Sequence, residues 1–134
     1  MKAYYSHAMK LYWTKKEKEE IAIIEKCLPN IEIINPPSYE DNLRKKIEGM
    51  SFCYRLVDEC GVVCFSRLDG VVTSGVGKEV NYALKKKKKV YEIKNGKLVP
   101  HNSPLKHISR AETVRIYNMI DSNESLKRKC GIDS

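Results

Sequence analysis

The stretch Gly61-Val62-Val63-Cys64-Phe65-Ser66 precedes a second informative segment, Thr73-Ser74-Gly75-Val76-Gly77-Lys78-Glu79. The first is continuously apolar, which is typical of a central strand in a parallel sheet that is buried on both faces. The second predicts a glycine-containing turn that leads into a helix over residues 76–84. Together they predict a strand, a loop over residues 67–74 and a helix, which is the repeating unit of α/β proteins.

Glu79 is placed by this pattern in the first turn of the predicted helix, where the helix dipole favours a carboxylate. The free N–H groups of a helix N-terminus attract anions, and Gly75 and Gly77 would let a ligand approach the backbone closely. The segment therefore predicts a reactive carboxylate beside an anion-binding turn. The alternative is a tight turn in which Glu79 has no chemical role. The spacing fits neither a P-loop nor a dinucleotide-binding fingerprint.

Strand-like and helix-like patterns alternate along the rest of the chain. Thr14 predicts a helix start, with Glu17 at the capping-box position. The Asn95-Gly96 pair predicts a type I′ hairpin, and Ser109 predicts the cap of a last helix. The predicted strands are residues 2–6, 31–34, 61–66, 90–93 and 98–99, and the predicted helices lie near residues 15–28, 39–48, 52–57, 76–84 and 110–120.

This alternation predicts an α/β fold of Rossmann-like or flavodoxin-like type, in which helices cover both faces of a parallel sheet and a C-terminal hairpin and helix follow. The length of 134 residues suits a single domain over 1–134, and residues 122–134 are expected to be a frayed polar tail. Ligands bind at the carboxyl ends of the strands in such folds. That rule gathers Ser6, His7, Asn35 and residues 66–79 at one edge of the sheet.

The composition sets further limits on function. A formal charge of +8 permits attraction to phosphates but does not choose between small molecules and nucleic acid. Lysines 85–89 fit a solvated helix end, and they are less typical of a nucleic-acid site because no aromatic residue stands among them. The odd number of five cysteines, without a C-x-x-C motif, predicts free thiols and no metal site.

Neither a membrane span nor a secretory leader is expected. No apolar run approaches the ~20 residues that a span requires, and the N-terminal residues lack the apolar core of a signal peptide. We therefore expect a cytoplasmic protein.

Over roughly residues 2–93, the chain resembles the nucleoside 2-deoxyribosyltransferase family and its relative, the 2′-deoxynucleoside 5′-phosphate N-hydrolase. The resemblance is carried by three segments: Tyr4-Tyr5-Ser6-His7-Ala8-Met9 at the first strand, Gly75-Val76-Gly77-Lys78-Glu79 at a helix start with Ala83 further along, and Lys89-Val90-Tyr91 at a later strand.

The resemblance implies that Glu79 attacks the anomeric carbon of a deoxyribose and forms a glycosyl-enzyme, which water or a second base then resolves. It also implies that Thr73, with N–H groups near Ser74, Gly75 and Gly77, holds a 5′-phosphate. Neither a cofactor nor a metal is implied. The expected partners are a nucleoside or nucleotide and further copies of the chain, in a homodimer or larger homo-oligomer.

The chain departs from the family pattern at one acidic position. Aligning the third strands places Cys53 where family members usually carry an aspartate that contacts the sugar or assists the leaving base. Asp69 could substitute if its loop folds inward. Without an acidic partner, the same fold could instead serve as a nucleotide-binding or sensing module that has weak activity or none.

Overall fold

The computed structural model describes residues 1–132, apart from the side chain of Leu43. The strands are β1 Lys2–Ser6, β2 Glu32–Ile34, β3 Val62–Phe65, β4 Lys89–Lys94 and β5 Lys97–Pro100, and the helices are α1 Lys15–Cys27, α2 Leu43–Glu48, α3 Met50–Asp58, α4 Ser74–Lys85, α5 Arg110–Asp121 and α6 Glu124–Lys129. They form one five-stranded sheet in the order β2-β1-β3-β4-β5. β1 to β4 run parallel, and β5 is antiparallel to β4. The predicted Rossmann-like or flavodoxin-like α/β fold is thus confirmed.

Helices cover both faces of the sheet because its strands are apolar on both sides. On one face, Tyr4 and Val63 pack against α3 and α4 through Leu56 and Val80. On the other face, residues of β1 and β3 pack against Ile24 of α1. Burial of a large apolar side chain contributes about 1.5–3 kcal/mol. The two layers therefore hold the carboxyl ends of β1 and β3 in register.

Local signals set several element boundaries as predicted. The Thr14 hydroxyl accepts the Glu17 N–H at 3.2 Å at the start of α1, and the Ser109 hydroxyl does the same for the Glu112 N–H at the start of α5. Asn95 and Gly96 both have positive φ angles between β4 and β5. That conformation is the one a type I′ hairpin requires.

The prediction for residues 122–134 is wrong over the part of the tail that the structure describes. α6 begins after Asn123, whose side chain accepts the Leu126 N–H at 3.0 Å. Cys130 is buried against Leu11 and Ile120 in a third cluster beyond the carboxyl ends of the strands. Tertiary packing thus orders a segment whose polar composition suggests fraying. Residues 133 and 134 lie outside the described residues.

The region after β2 also differs from expectation. The sequence pattern predicts a helix over residues 39–48, but α2 begins only at Leu43, and a 3-10 helix over Pro36–Tyr39 precedes it. Proline suits the first turn of a helix because its missing N–H is not needed there. Across residues 1–132, no helix combines the length and the apolar character needed to cross a membrane.

Candidate functional site

The carboxyl group of Glu79 is held inside the protein between α4 and β1. The Tyr4 hydroxyl donates to its Oε2 at 2.5 Å, and the Ser6 hydroxyl donates to its Oε1 at 2.6 Å. Tyr4 and Ser6 point to the same face because side chains alternate along a strand. Glu79 is only 7% exposed, so two hydroxyl groups replace the water that would otherwise solvate it.

The expected position of Glu79 in the first helical turn is wrong. α4 begins at Ser74, so Glu79 lies in the second turn and faces the sheet. The predicted glycine turn is also absent from the described structure, because Gly75 and Gly77 both lie inside the helix. Hydroxyl donors, rather than the helix dipole, are therefore the main partners of the carboxyl group.

Burial raises the pKa of Glu79, although hydrogen bonds from Ser6, Tyr4 and Cys53 and the charge of Lys45 oppose the change. Burial and the neighbouring Glu79 raise the pKa of the Cys53 thiol to about 11. Cys53 is therefore a neutral thiol at physiological pH that can donate to the carboxyl group. The family resemblance aligns Cys53 with the usual aspartate, and the structure places the Cys53 thiol next to Glu79.

A cavity of about 320 Å³ adjoins this carboxyl group through Cys53, which both lines the cavity and neighbours Glu79. Three cationic residues also line it: Lys45 from α2, Lys78 from α4 and Arg110 from α5. No carboxyl group lines it among residues 1–132. A cavity lined by cations without acids favours an anionic ligand. The remaining lining residues are Gly49, Met50, Ser74, Gly75, Thr113 and Val114.

The predicted phosphate-binding residues divide between the cavity and the interior. Ser74 and Gly75 line the cavity, and a Cβ added to Gly75 would meet open space. The Ser74 N–H already donates to the Thr113 hydroxyl at 3.1 Å. Thr73 is buried and does not line the cavity. Gly77 is covered by His107.

Two other predicted residues do not contact Glu79. His7 is buried on the α1 side, where its Nε2 lies 2.8 Å from Glu17 and its ring stacks on Tyr5. Asp69 lies in a turn and pairs with Lys129 of α6 at 3.5 Å. The loop of Asp69 therefore packs towards α6, and Asp69 is not the inward substitute for the missing aspartate.

Asn35 follows β2 at the carboxyl edge. Its side chain does not cap the 3-10 helix that it precedes. Its amide oxygen is buried without a hydrogen-bond partner among residues 1–132. A polar residue at this position could also cap the loop, but Asn35 does not do so here, and ligand binding stays a prediction.

A second buried carboxyl network, which the sequence pattern does not predict, lies on the opposite face of the sheet. There the Tyr5 hydroxyl donates to Glu20 at 2.5 Å, and the Ser66 hydroxyl donates to the same oxygen at 2.7 Å. A usable signal is present, because Glu17 and Glu20 share the inward face of α1 with Ile24. The sequence does not indicate the role of Tyr4, because an aromatic residue in a strand is typical of the core.

The two networks use the same three residue types. Each joins a helix glutamate to a strand tyrosine and to a serine at the carboxyl end of β1 or just after β3. The Glu79 network adjoins, through Cys53, the cavity that Lys45, Lys78 and Arg110 line. Within the same residues, no group of three or more His, Cys, Asp or Glu is placed to hold a metal ion.

We expect Glu79→Gln to stabilise the protein at alkaline pH relative to wild type. Because burial raises the pKa of Glu79 in the folded state, its contribution to stability is full below the ordinary value of about 4.3 and is lost as pH rises through the folded-state pKa. Each unit of elevation corresponds to about 1.4 kcal/mol. Urea unfolding from pH 4 to pH 9 measures the difference between variant and wild type.

The matched control for this measurement is Glu25→Gln, which removes an exposed carboxyl group from α1. Its difference from wild type should vary less with pH than that of Glu79→Gln, because an exposed carboxyl group is solvated in the folded protein as well. His7 and Glu20 are also buried, but they are present in wild type and in Glu79→Gln alike. Their contributions therefore cancel when the free energies of unfolding of these two proteins are subtracted. If the difference in free energy of unfolding between Glu79→Gln and wild type stayed constant with pH, it would contradict the raised pKa of Glu79.

No family model, curated protein or solved structure gives a significant match to the chain. The family resemblance therefore depends on the quoted segments, and a function must be argued from the geometry around Glu79.

Proposed function

We propose that the protein cleaves or transfers the N-glycosidic bond of a 2′-deoxynucleoside 5′-monophosphate, with Glu79 as the nucleophile. The observation that carries the proposal is a buried carboxyl group, bonded by Tyr4 and Ser6, next to a cavity lined by cations. A carboxylate near an anomeric carbon stabilises oxocarbenium-like charge and can then bond to that carbon.

In the first step, an oxygen of Glu79 bonds to C1′ while the bond from C1′ to the base nitrogen breaks. The electron pair leaves with the base, which takes up a proton from water. Each carboxylate oxygen has a second lone pair, so the bonds from Tyr4 and Ser6 can persist while one oxygen attacks. Water then attacks C1′ and frees Glu79, or a second base does so and completes a transfer.

The cationic cavity supports a 5′-monophosphate over an uncharged nucleoside. Lys78 and Arg110 form no ion pair with a carboxylate within residues 1–132, whereas Lys45 pairs with Glu40. Guanidinium groups bind phosphate oxygens in pairs, and ammonium groups bind them as point charges. A phosphate here would be held next to the reacting sugar, which lowers the entropic cost of the chemical step.

The direct test is to incubate the protein with each 2′-deoxynucleoside and with its 5′-monophosphate and to measure free base by liquid chromatography. We expect release from at least one monophosphate and slower release from the matching nucleoside. Absence of release from every compound, with calorimetric binding intact, would contradict catalysis.

Arg110→Gln tests the phosphate assignment. We expect the variant to raise KM for the monophosphate about 10-fold, which corresponds to one charge-assisted hydrogen bond. KM for the nucleoside should change less than 2-fold, because that substrate offers no phosphate. Steady-state kinetics with both substrates measure the two KM values. An equal change in KM for both substrates would contradict the assignment of Arg110 to the phosphate.

The matched control for Arg110→Gln is Arg115→Gln. It removes the same charge from an exposed position of the same helix that does not line the cavity. We expect it to leave both KM values unchanged.

A second candidate function is a nucleotide-binding module without turnover. Retaining glycosidases normally use two carboxyl groups, and here the neutral Cys53 thiol neighbours Glu79 while no acid lines the cavity within residues 1–132. The raised pKa of Glu79 also reduces the nucleophilic form at neutral pH. Binding of a monophosphate without release of base would favour this candidate.

Homo-oligomerisation stays a prediction that light scattering can test.

A further inference from the structure

Two tyrosines flank the lysine-rich end of α4. Tyr54 of α3 and Tyr82 of α4 stack with their ring centroids 4.4 Å apart and their planes 15° apart. The Lys86 Nζ lies 5.5 Å from the centroid of the Tyr82 ring. No aromatic residue interrupts lysines 85–89 in the sequence, but the packing of α3 on α4 brings a pair of aromatic rings beside them.

The tyrosine pair lines a groove along the exposed side of α4. A cavity of about 380 Å³ is lined by Tyr54, Lys78, Asn81, Tyr82, Lys85 and His107. It shares Lys78 with the cavity beside Glu79. It shares Asn81 and Lys85 with a further cavity of about 450 Å³ that also includes Asn102 and Pro104. The shared residues place these cavities next to one another along α4, and together they are called the groove.

The charge along this groove is positive. Lys78 and Lys85 line it, and no carboxyl group lines either outer cavity within residues 1–132. Asp58 is the nearest acid to the tyrosine pair, and the Tyr82 hydroxyl bonds to both of its oxygens at 2.8 and 2.9 Å. The groove thus combines cations with aromatic rings across adjoining cavities.

We propose that this groove binds single-stranded nucleic acid. Lysines would contact successive phosphates, and a base would stack on the half-buried tyrosine pair, which is the combination that sequence-independent single-strand binding uses. A duplex keeps its bases stacked on each other and cannot use the rings in this way. An acidic polypeptide would use the cations but has no general need of the aromatic pair.

The test uses fluorescence anisotropy with a labelled 20-residue oligodeoxythymidine and the whole protein. Wild type should bind with micromolar affinity at low salt, and log K should fall linearly with log salt. Lys85→Glu with Lys86→Glu should weaken binding at least 10-fold and reduce the salt slope by about 1.4. Tyr54→Ala should weaken it about 5- to 100-fold, and Tyr54→Phe should retain it.

The matched control is Lys18→Glu with Lys26→Glu, which makes the same charge change at exposed positions of α1 across the sheet. It should reduce affinity less than 3-fold. Equal losses in the groove and control variants would overturn the proposal, and so would absence of binding by wild type at low salt. Thermal unfolding verifies that Tyr54→Ala is folded, and Tyr82→Phe provides a second variant that should retain binding.

Two further comparisons define the ligand and the independence of the groove. Polyglutamate of equal charge should compete poorly, and competition equal to that of the oligonucleotide would overturn the proposal in favour of an acidic polypeptide. Glu79→Gln should bind the oligonucleotide as wild type does. The proposed reaction at Glu79 and the proposed binding by the groove can therefore be contradicted independently of each other.

Discussion

Glu79→Gln is expected to lower the rate of base release from a deoxynucleoside monophosphate by roughly 10⁴-fold or more, as loss of a nucleophile does in other covalent mechanisms. Glutamine keeps the shape of the side chain and an oxygen that can accept from Tyr4 or Ser6. Substrate affinity should therefore change less than 3-fold. Single-turnover kinetics measure the chemical step, and calorimetry measures the affinity.

The chain provides a closely matched control in Glu20→Gln. Glu20 is also buried and is also bonded by a tyrosine and a serine, but it lies on the opposite face of the sheet. This variant alters an equivalent network without altering the cavity beside Glu79, so base release should stay within about 3-fold of wild type. Equal losses in the two variants would indicate a general structural effect and would contradict a nucleophilic role.

The pH profile provides an independent check on the same residue. Only the ionised carboxylate attacks carbon, and burial raises the pKa of Glu79. The rate should therefore increase with pH through a value above the ordinary value of about 4.3 for an exposed glutamate. This acid limb should be absent from any residual activity of Glu79→Gln.

Gly77→Val is expected to destabilise the folded protein by about 3 kcal/mol, near the upper end of the usual cost of overpacking. A Cβ at position 77 would overlap the ring and the Cβ of His107. Because part of that overlap is close to the backbone of the loop before α5, rotation of the His107 side chain alone cannot relieve it. Urea unfolding at neutral pH measures the loss.

Gly75→Val is the control, since a Cβ there meets no atom within 4 Å. Both positions lie in α4, so the two variants share the helix-propensity change and differ in the available space. Gly75→Val should change stability by less than about 1 kcal/mol. Adding His107→Gly should recover part of the loss in Gly77→Val. Equal effects at both positions would contradict close packing as the reason for glycine at position 77.

Several local features could be predicted from neighbouring residues alone. Thr14 and Ser109 cap their helices because a side-chain hydroxyl can satisfy an N–H three residues later. Asn95-Gly96 forms the hairpin because both residues tolerate positive φ. The apolar run at β3 becomes the central buried strand for the reason that its composition indicates.

The candidate site could be predicted only in part. The carboxyl edge of the sheet, with Ser6, Ser74, Gly75 and Glu79, followed from strand order and chain direction. The start of α4 did not, because Ser74 and Gly75 have weak helix preference and tertiary contacts, such as the bond from the Ser74 N–H to Thr113, support that first turn.

The alternating α/β pattern, the helix caps, the hairpin and the basic character of the chain can all be read from the amino-acid order, because they depend on the chemistry of residues close together along it. Three other features emerge only when the chain is folded: Tyr4 and Ser6 bond to Glu79, Asp69 pairs with Lys129, and Tyr54 stacks on Tyr82 beside the lysines. Those contacts join residues far apart in the chain, and their geometry depends on how the helices pack against the sheet and against each other.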